Sequence, residues 1–412
     1  MTAKQANQNY EGPPPWRSIG RHEMLPEAGH DDAARFDFLA QLNHHLGSKV
    51  LPGIQRVYER EVEPEQRRRT GAGFRNRHEV RRSLGRHPGY RSWSALRRAT
   101  MEMRQQAGRM LVLRQWGALN QKAQRLNEAG LGESLLLDPA IETPRYLAAV
   151  DHHCMPGSYH AELGPGDVAA AANYDAGIFV TTGGLLGRYS DGGGRGVVDW
   201  VREHLPEFRP QRILDIGCGL GHNVLPLARA FPEAEIWAVD QAAPLLRYGH
   251  ARARALGVRN VRFAQGNAES LASLGFEAGS FDWVQSTMVL HETSHRAMPR
   301  IMREIHRLLA PGGITLHIEQ PQYHEKMDLC EQCLRDWDAF NNNEPYWTRF
   351  HEVDLDAVLV EAGFASGNLL HGGVFAPAED AQAAAREGAA RRSEDFGRSP
   401  AWRLVGARKA AA

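Results

Sequence analysis

Arg212–Asn223, RILDIGCGLGHN, decides the fold of this 412-residue chain. Ile213, Leu214 and Ile216 read as the end of a buried strand, and Gly217, Gly219 and Gly221 turn it into the apolar helical pattern VLPLARAF. Glycines let a backbone approach a bound molecule closely, and the free N–H groups of a helix start face negative or electron-rich atoms. A ligand is therefore expected at that turn. Glycine spacing alone also describes a dinucleotide site. A G-x-G-x-x-G frame begun at Gly217, however, puts His222 at the third glycine, and one begun at Gly219 puts Val224 there, which weakens that reading.

What remains is D-x-G-x-G-x-G beginning at Asp215, and it resembles the signature of class I S-adenosylmethionine-dependent methyltransferases. The resemblance continues in order downstream. A second strand, AEIWAVD, ends in Asp240, a carboxylate placed for the ribose hydroxyls of a nucleoside, with Gln241 behind it. A third ends at Asn267, Ala268 and Glu269, where the resemblance implies contacts to adenine. Asn267 stands where the family usually has an acid; its amide oxygen can still accept a hydrogen bond from an exocyclic amine. The strands SFDWVQSTMVLHE and PGGITLHIEQ, separated by the helix IMREIHRLLA, complete a pattern similar to the small-molecule branch, the ubiquinone and menaquinone methyltransferases. Ser286–His291 lacks the N/D-P-P-Y/F tetrapeptide of enzymes that methylate nucleobase amines.

The resemblance implies an α/β fold, a Rossmann-like doubly wound seven-stranded sheet, and transfer of a methyl group from S-adenosylmethionine to a small-molecule acceptor by in-line displacement. The cofactor contacts it implies are Asp215, Gly217, Cys218, Gly219, Gly221, Asp240, Gln241, Asn267, Ala268, Glu269 and Ser286, with Tyr174 from the preceding segment.

Composition is that of a globular protein, with 42% apolar and 24% charged residues and no apolar run of membrane-spanning length. The polar, proline-containing start MTAKQANQNYEGPPPW has no signal-peptide core, and four cysteines do not make a disulfide framework, so a cytoplasmic setting is expected. Residues 1–30 read as a flexible terminus and 31–137 as an added, mostly helical domain. Residues 138–196 read as a glycine-rich cover or linker, and 197–412 as the cofactor-binding domain, with a substrate insertion at 321–350. One long helix is expected across SWSALRRATMEMRQQAGRMLVLRQWGALNQKAQRLNEAG; its apolar stripe suits packing within the subunit or a homodimer. The polar tract 378–399 reads as an exposed loop or helix.

Net charge is zero, but over residues 1–130 Lys and Arg outnumber Asp and Glu by 23 to 13. A solvated face, or one docked on the acidic remainder, accounts for this better than a nucleic-acid surface, because no recognisable nucleic-acid module interleaves the arginines. Two rival readings stay open: RNA methylation with docking through those basic helices, and a cofactor-binding subunit without catalysis.

Methyl transfer from a sulfonium needs donor and nucleophile aligned with water excluded, and a base where a proton must leave. The ends of the fourth and fifth strands supply His291, Glu292 and Glu319 as catalytic candidates, whereas His317 alternates to the other face. His153, Tyr159 and His160 from the cover, and Tyr346 and Trp347 from the insertion, are the expected substrate contacts. The run Asp151–Cys154 matches no standard zinc spacing and no metal is expected. Cys330 and Cys333 read as two buried thiols one helical turn apart.

Overall fold

The computed structural model describes residues 12–128, 134–377 and 401–411. Its centre is a twisted sheet whose strands are β1 (Leu135–Leu136), β2 (Arg212–Ile216), β3 (Glu235–Asp240) and β4 (Val261–Gln265). They are followed by β5 (Phe281–Thr287), β6 (Leu309–Glu319), β7 (Leu369–Phe375) and β8 (Ala401–Arg408). The order is β1-β4-β3-β2-β5-β6-β8-β7, with β1 to β6 parallel and β8 antiparallel to both of its neighbours. The seven expected strands are present. The eighth, β1, extends the edge from residues that read as the tail of the helical region.

Side-chain alternation divides the core between the two faces of the sheet. Ile213, Ile236 and Trp283 pack with Val197 and Leu225 on one side, while Leu214, Val239 and Val284 pack with Ile301, Ile305 and Leu359 on the other. Strand order reverses between β2 and β5. A doubly wound sheet binds ligands at such a point, beyond the carboxyl ends of its strands.

The amino-terminal region departs from expectation in three ways. Trp16, Ile19, Met24 and Leu25 are buried, and the Trp16 indole donates to the Ala176 carbonyl at 2.9 Å, so the chain is anchored from Trp16 onward. Pro13–Pro15 precede only a short 3₁₀ turn at Trp16–Ser18, which their fixed backbone permits. The single long helix is two, Pro88–Leu113 and Trp116–Glu128. At the break Gln115 turns its amide to the backbone of Glu27, accepting from its N–H and donating to its carbonyl, both at 2.9 Å.

Finally, the helical region is not separate. Leu46, Val80, Leu84 and Trp93 share one core with Cys330, Cys333, Leu334 and Trp337 of the 321–350 segment. Arg77 pairs with Asp336 at 2.7 Å and Arg97 with Asp338 at 3.1 Å across that junction, and Arg114 pairs with Asp32 at 2.6 Å. Arg77 and Arg97 of the cationic front are thus paired with carboxylates of the 321–350 segment. Among the described residues no helix is long and apolar enough to cross a membrane. The tract 378–399 lies outside the described residues.

Candidate active site

One cavity of about 1070 Å³ opens beyond the carboxyl ends of β2 to β6. At one end lies the glycine turn. Gly217, Gly219 and Gly221 all adopt left-handed backbone, with φ of 68°, 54° and 85°. The turn is pinned from β3: the Gly217 and Cys218 N–H groups donate to the Val239 carbonyl at 2.8 and 3.1 Å. Asp240 accepts from Gly219 N–H through Oδ2 and from Ala242 N–H through Oδ1, each at 2.9 Å. One carboxylate therefore fixes the turn and starts the helix Ala243–Ala255, keeping a lone pair on each oxygen for a ligand. Burial pushes the Asp240 pKa upward against these backbone hydrogen bonds.

Gly217, Cys218, Gly219, Asp240, Gln241, Asn267, Ala268 and Tyr174 line the cavity. Asp215, Gly221, Glu269 and Ser286 do not. Asp215 is 2% exposed and accepts from Gln285 Nε2 at 2.9 Å, a pairing between adjacent strands. Its burial, reinforced by Asp240, raises its pKa to about 7 despite that hydrogen bond. Ser286 is bonded in the same way to His317 Nδ1 at 2.8 Å, and Glu269 to Arg300 at 3.0 Å. The Gly221 N–H donates to the Cys218 carbonyl at 2.9 Å, closing the turn. Asn267 Oδ1 accepts the Glu269 N–H at 2.9 Å. The oxygen expected to face an adenine amine thus also shapes its own turn.

Tyr174 stands on the helix Ala169–Thr181, and the next residue ties that helix to the glycine turn. Asp175 Oδ1 meets His222 Nε2 at 2.8 Å, while Oδ2 accepts from the Tyr248 hydroxyl at 2.7 Å and lies 3.1 Å from His22 Nε2. Burial opposes ionisation, but Arg252 and the two histidines hold the Asp175 carboxyl well below the usual carboxylate range. His222, the residue that spoils the dinucleotide spacing, is the link.

Two residues after Val289, whose side chain abuts Gly217, His291 Nδ1 lies 2.7 Å from Glu319 Oε2. Glu319 Oε1 accepts from the N–H groups of Val289 and Leu290 at 2.7 and 2.5 Å, so one carboxylate at the end of β6 shapes the loop after β5 and orients the imidazole. Burial disfavours the imidazolium, yet Glu319 outweighs it and raises the His291 pKa to about 9. Trp347 sits edge-on to this ring at 4.6 Å. His291, Glu292 and Trp347 line the cavity; Glu319 does not, and acts through His291 and the loop.

Tyr159 donates to Glu292 Oε1 at 2.9 Å and packs edge-on against Tyr174 at 5.7 Å. His153 stands between Glu344, 2.8 Å from its Nδ1, and Glu292, 3.4 Å from its Nε2. Burial is again outweighed by the two carboxylates, and the His153 pKa rises to about 10. His153, Tyr159 and His160 line the cavity, but Tyr346 lies outside it, edge-on to Tyr146 at 6.0 Å. Two lining residues had no signal in the sequence. Glu344 is 1% exposed. Arg104, 4% exposed on the helix Pro88–Leu113, donates through Nε to Thr181 Oγ1 at 3.2 Å, and its Nη1 has no hydrogen-bond partner among the described residues.

Residues 213–313 match the sequence profile of a family described as "Methyltransferase domain". Over 163 residues the chain is 34% identical to an uncharacterized methyltransferase of Synechocystis sp., spanning 39% of this chain and 70% of that one.

The chain belongs to the S-adenosylmethionine-dependent methyltransferases.

This methyltransferase is also 33% identical over 113 residues to a demethylmenaquinone methyltransferase of Geobacillus kaustophilus, covering 27% of this chain and 46% of that one. It is 32% identical over 121 residues to a trans-aconitate 2-methyltransferase of Deinococcus radiodurans, covering 29% and 42%. It thus spans less than half the length of these two relatives. The cavity fits the cofactor of the family. A Cβ added at Gly219 would meet no atom within 4 Å, so the turn leaves open space on the cavity side. Asp240 presents its carboxylate beside that space, and the small Ala268 leaves room at the end of β4.

Proposed function

We propose that this methyltransferase acts on a small-molecule acceptor held between Tyr159, Trp347, His153 and Glu292, in the same cavity as the glycine turn. The carrying observation is the continuity of the cavity: the glycine turn and Asp240 share it with His291 and Glu292. Its volume of about 1070 Å³ is at the upper end for ligand pockets, enough for a nucleoside cofactor together with a second small molecule. Two relatives, named for demethylmenaquinone and trans-aconitate, agree with that class of acceptor.

S-adenosylmethionine supplies the methyl group as a sulfonium substituent. Gly217, Gly219 and Cys218 would hold the portion carrying its amino acid, Asp240 would accept from the ribose hydroxyls, and Asn267 with Ala268 would hold the base. Tyr174 and Tyr159 would form an aromatic wall that excludes water from the reacting atoms. His291, oriented by Glu319, would in its neutral form take the acceptor's proton as the acceptor atom bonds to the methyl carbon and the methyl–sulfur bond breaks, releasing S-adenosylhomocysteine. Arg104 offers an unpaired N–H to an anionic group on the acceptor.

Incubation with labelled donor and a cellular metabolite extract, with RNA in a parallel arm, tests this reading. Label is expected in a low-mass product. Label in RNA favours docking through the basic helices, and cofactor uptake without any turnover favours a non-catalytic subunit; either result overturns the proposal.

A further inference from the structure

We propose that His153, Glu292 and Glu344 bind a divalent transition-metal cation on the cavity wall beside the acceptor. These side chains come from three separated segments, the turn His152–Cys154, the turn Leu290–Glu292 and the loop between the helices Trp337–Asn341 and Trp347–His351. One donor atom of each lies within 4.8 Å of the others. Around a four-coordinate ion with bonds of ~2.1 Å, donor atoms are roughly 3.4 Å apart; Glu344 faces Nδ1 of His153 and Glu292 faces Nε2, so a shared ion requires the imidazole to turn one nitrogen toward both carboxylates. No pair of these residues is close in sequence, which is why no ligand spacing announced the site.

Glu344 points to a ligand independently of the cluster. It is 1% exposed and lines the cavity; its Oε1 lies 2.8 Å from His153 Nδ1, and its Oε2 has no hydrogen-bond partner among the described residues. Its ion-pair neighbour is the single imidazole of His153, which Glu292 shares from the other side. Two carboxylates meet at one imidazole in a buried place, and a dication would balance their two charges. The donor set of one imidazole nitrogen and two carboxylate oxygens matches Mn²⁺, Fe²⁺ or Zn²⁺ better than Ca²⁺ or Mg²⁺, which prefer oxygen alone. Three protein ligands leave positions open toward the cavity. On the methyl-transfer reading, an acceptor hydroxyl bound there would lose its proton more easily.

The test uses the full chain, freed of metal by chelator and dialysis, and titrated with Mn²⁺ while free Mn²⁺ is followed by electron paramagnetic resonance. One ion per chain is expected, with affinity falling at least tenfold in Glu344→Gln and in Glu292→Gln. S-adenosylhomocysteine binding should stay within threefold in both variants, which reports an intact fold. Absence of saturable uptake by the wild type, or equal uptake by both folded variants, overturns the proposal. Should neither variant fold, anomalous scattering from wild-type crystals soaked in Mn²⁺ decides: a peak among the three side chains sustains the site, and a peak elsewhere or none removes it. Wild-type Mn²⁺ uptake without S-adenosylhomocysteine binding would refute the methyl-transfer reading and leave the metal site standing; the reverse pattern would do the opposite.

Discussion

Adding a single methyl at Gly219 or at Gly217 should have opposite consequences, because the two glycines serve different purposes. At Gly219, φ is 54° and nothing lies within 4 Å of an added Cβ. The Gly219→Ala change therefore carries only the penalty of left-handed backbone, ~1–2 kcal/mol. At Gly217, φ is 68° and the added carbon would stand 2.6 and 2.8 Å from the two Cγ atoms of Val289. Overpacking of that kind adds ~1–3 kcal/mol, giving about 2–5 kcal/mol for Gly217→Ala. Binding should rank the other way relative to stability. The open space at Gly219 is the proposed seat of the cofactor, so Gly219→Ala should weaken S-adenosylhomocysteine by at least tenfold, ~1.4 kcal/mol, while the folded state stays populated. Urea denaturation of both variants, with titration calorimetry of the folded Gly219→Ala protein, measures both quantities. Affinity within twofold of wild type in folded Gly219→Ala would refute the reasoning. So would equal destabilisation by the two changes.

The Asp175 network should govern the acid limb of stability. Its folded pKa is depressed, so its contribution is present above the unfolded value near 4 and is lost as pH falls toward the folded value. Asp175→Asn should cost ~3–5 kcal/mol at neutral pH and flatten the pH dependence of the denaturation midpoint below pH 5, since it strands Arg252 and two histidines. For catalysis, His291 accepts a proton only when neutral, so turnover of an acceptor hydroxyl or thiol should rise as pH increases through about 9. Glu319→Gln should move that rise to lower pH, because the charge that raises the His291 pKa is gone; an unshifted profile would exclude His291 as the base.

How much of this was legible in the sequence depends on how local each contact is. The glycine turn, Asp240 and the residues ending β4 lie at fixed steps along strand and helix, so periodicity and turn chemistry locate them. His291 follows from the same rule, in the turn four residues past the end of β5. The resemblance implies Asp215, Ser286 and Glu269 as cofactor contacts, but none lines the cavity: the first two bond across the sheet to Gln285 and His317, and the third bonds to Arg300. The break between Leu113 and Trp116 was invisible because Gln115 exchanges helical continuity for the backbone of Glu27, far away in the chain. Glu344 and Arg104 were missed for a related reason. Each is an ordinary charged residue in its own segment, and it becomes significant only where the helical region and the 321–350 segment close over the sheet.

Methyl transfer requires S-adenosylmethionine at the glycine turn, and isothermal titration of the purified chain tests that directly. S-adenosylhomocysteine should bind one to one, and Asp240→Ala should weaken it by about 1.5–3 kcal/mol, the loss of a charge-assisted hydrogen bond to the ribose. Uptake of NAD or FAD with no heat from S-adenosylhomocysteine would mean that the turn cradles a pyrophosphate and that the chemistry assigned here is wrong.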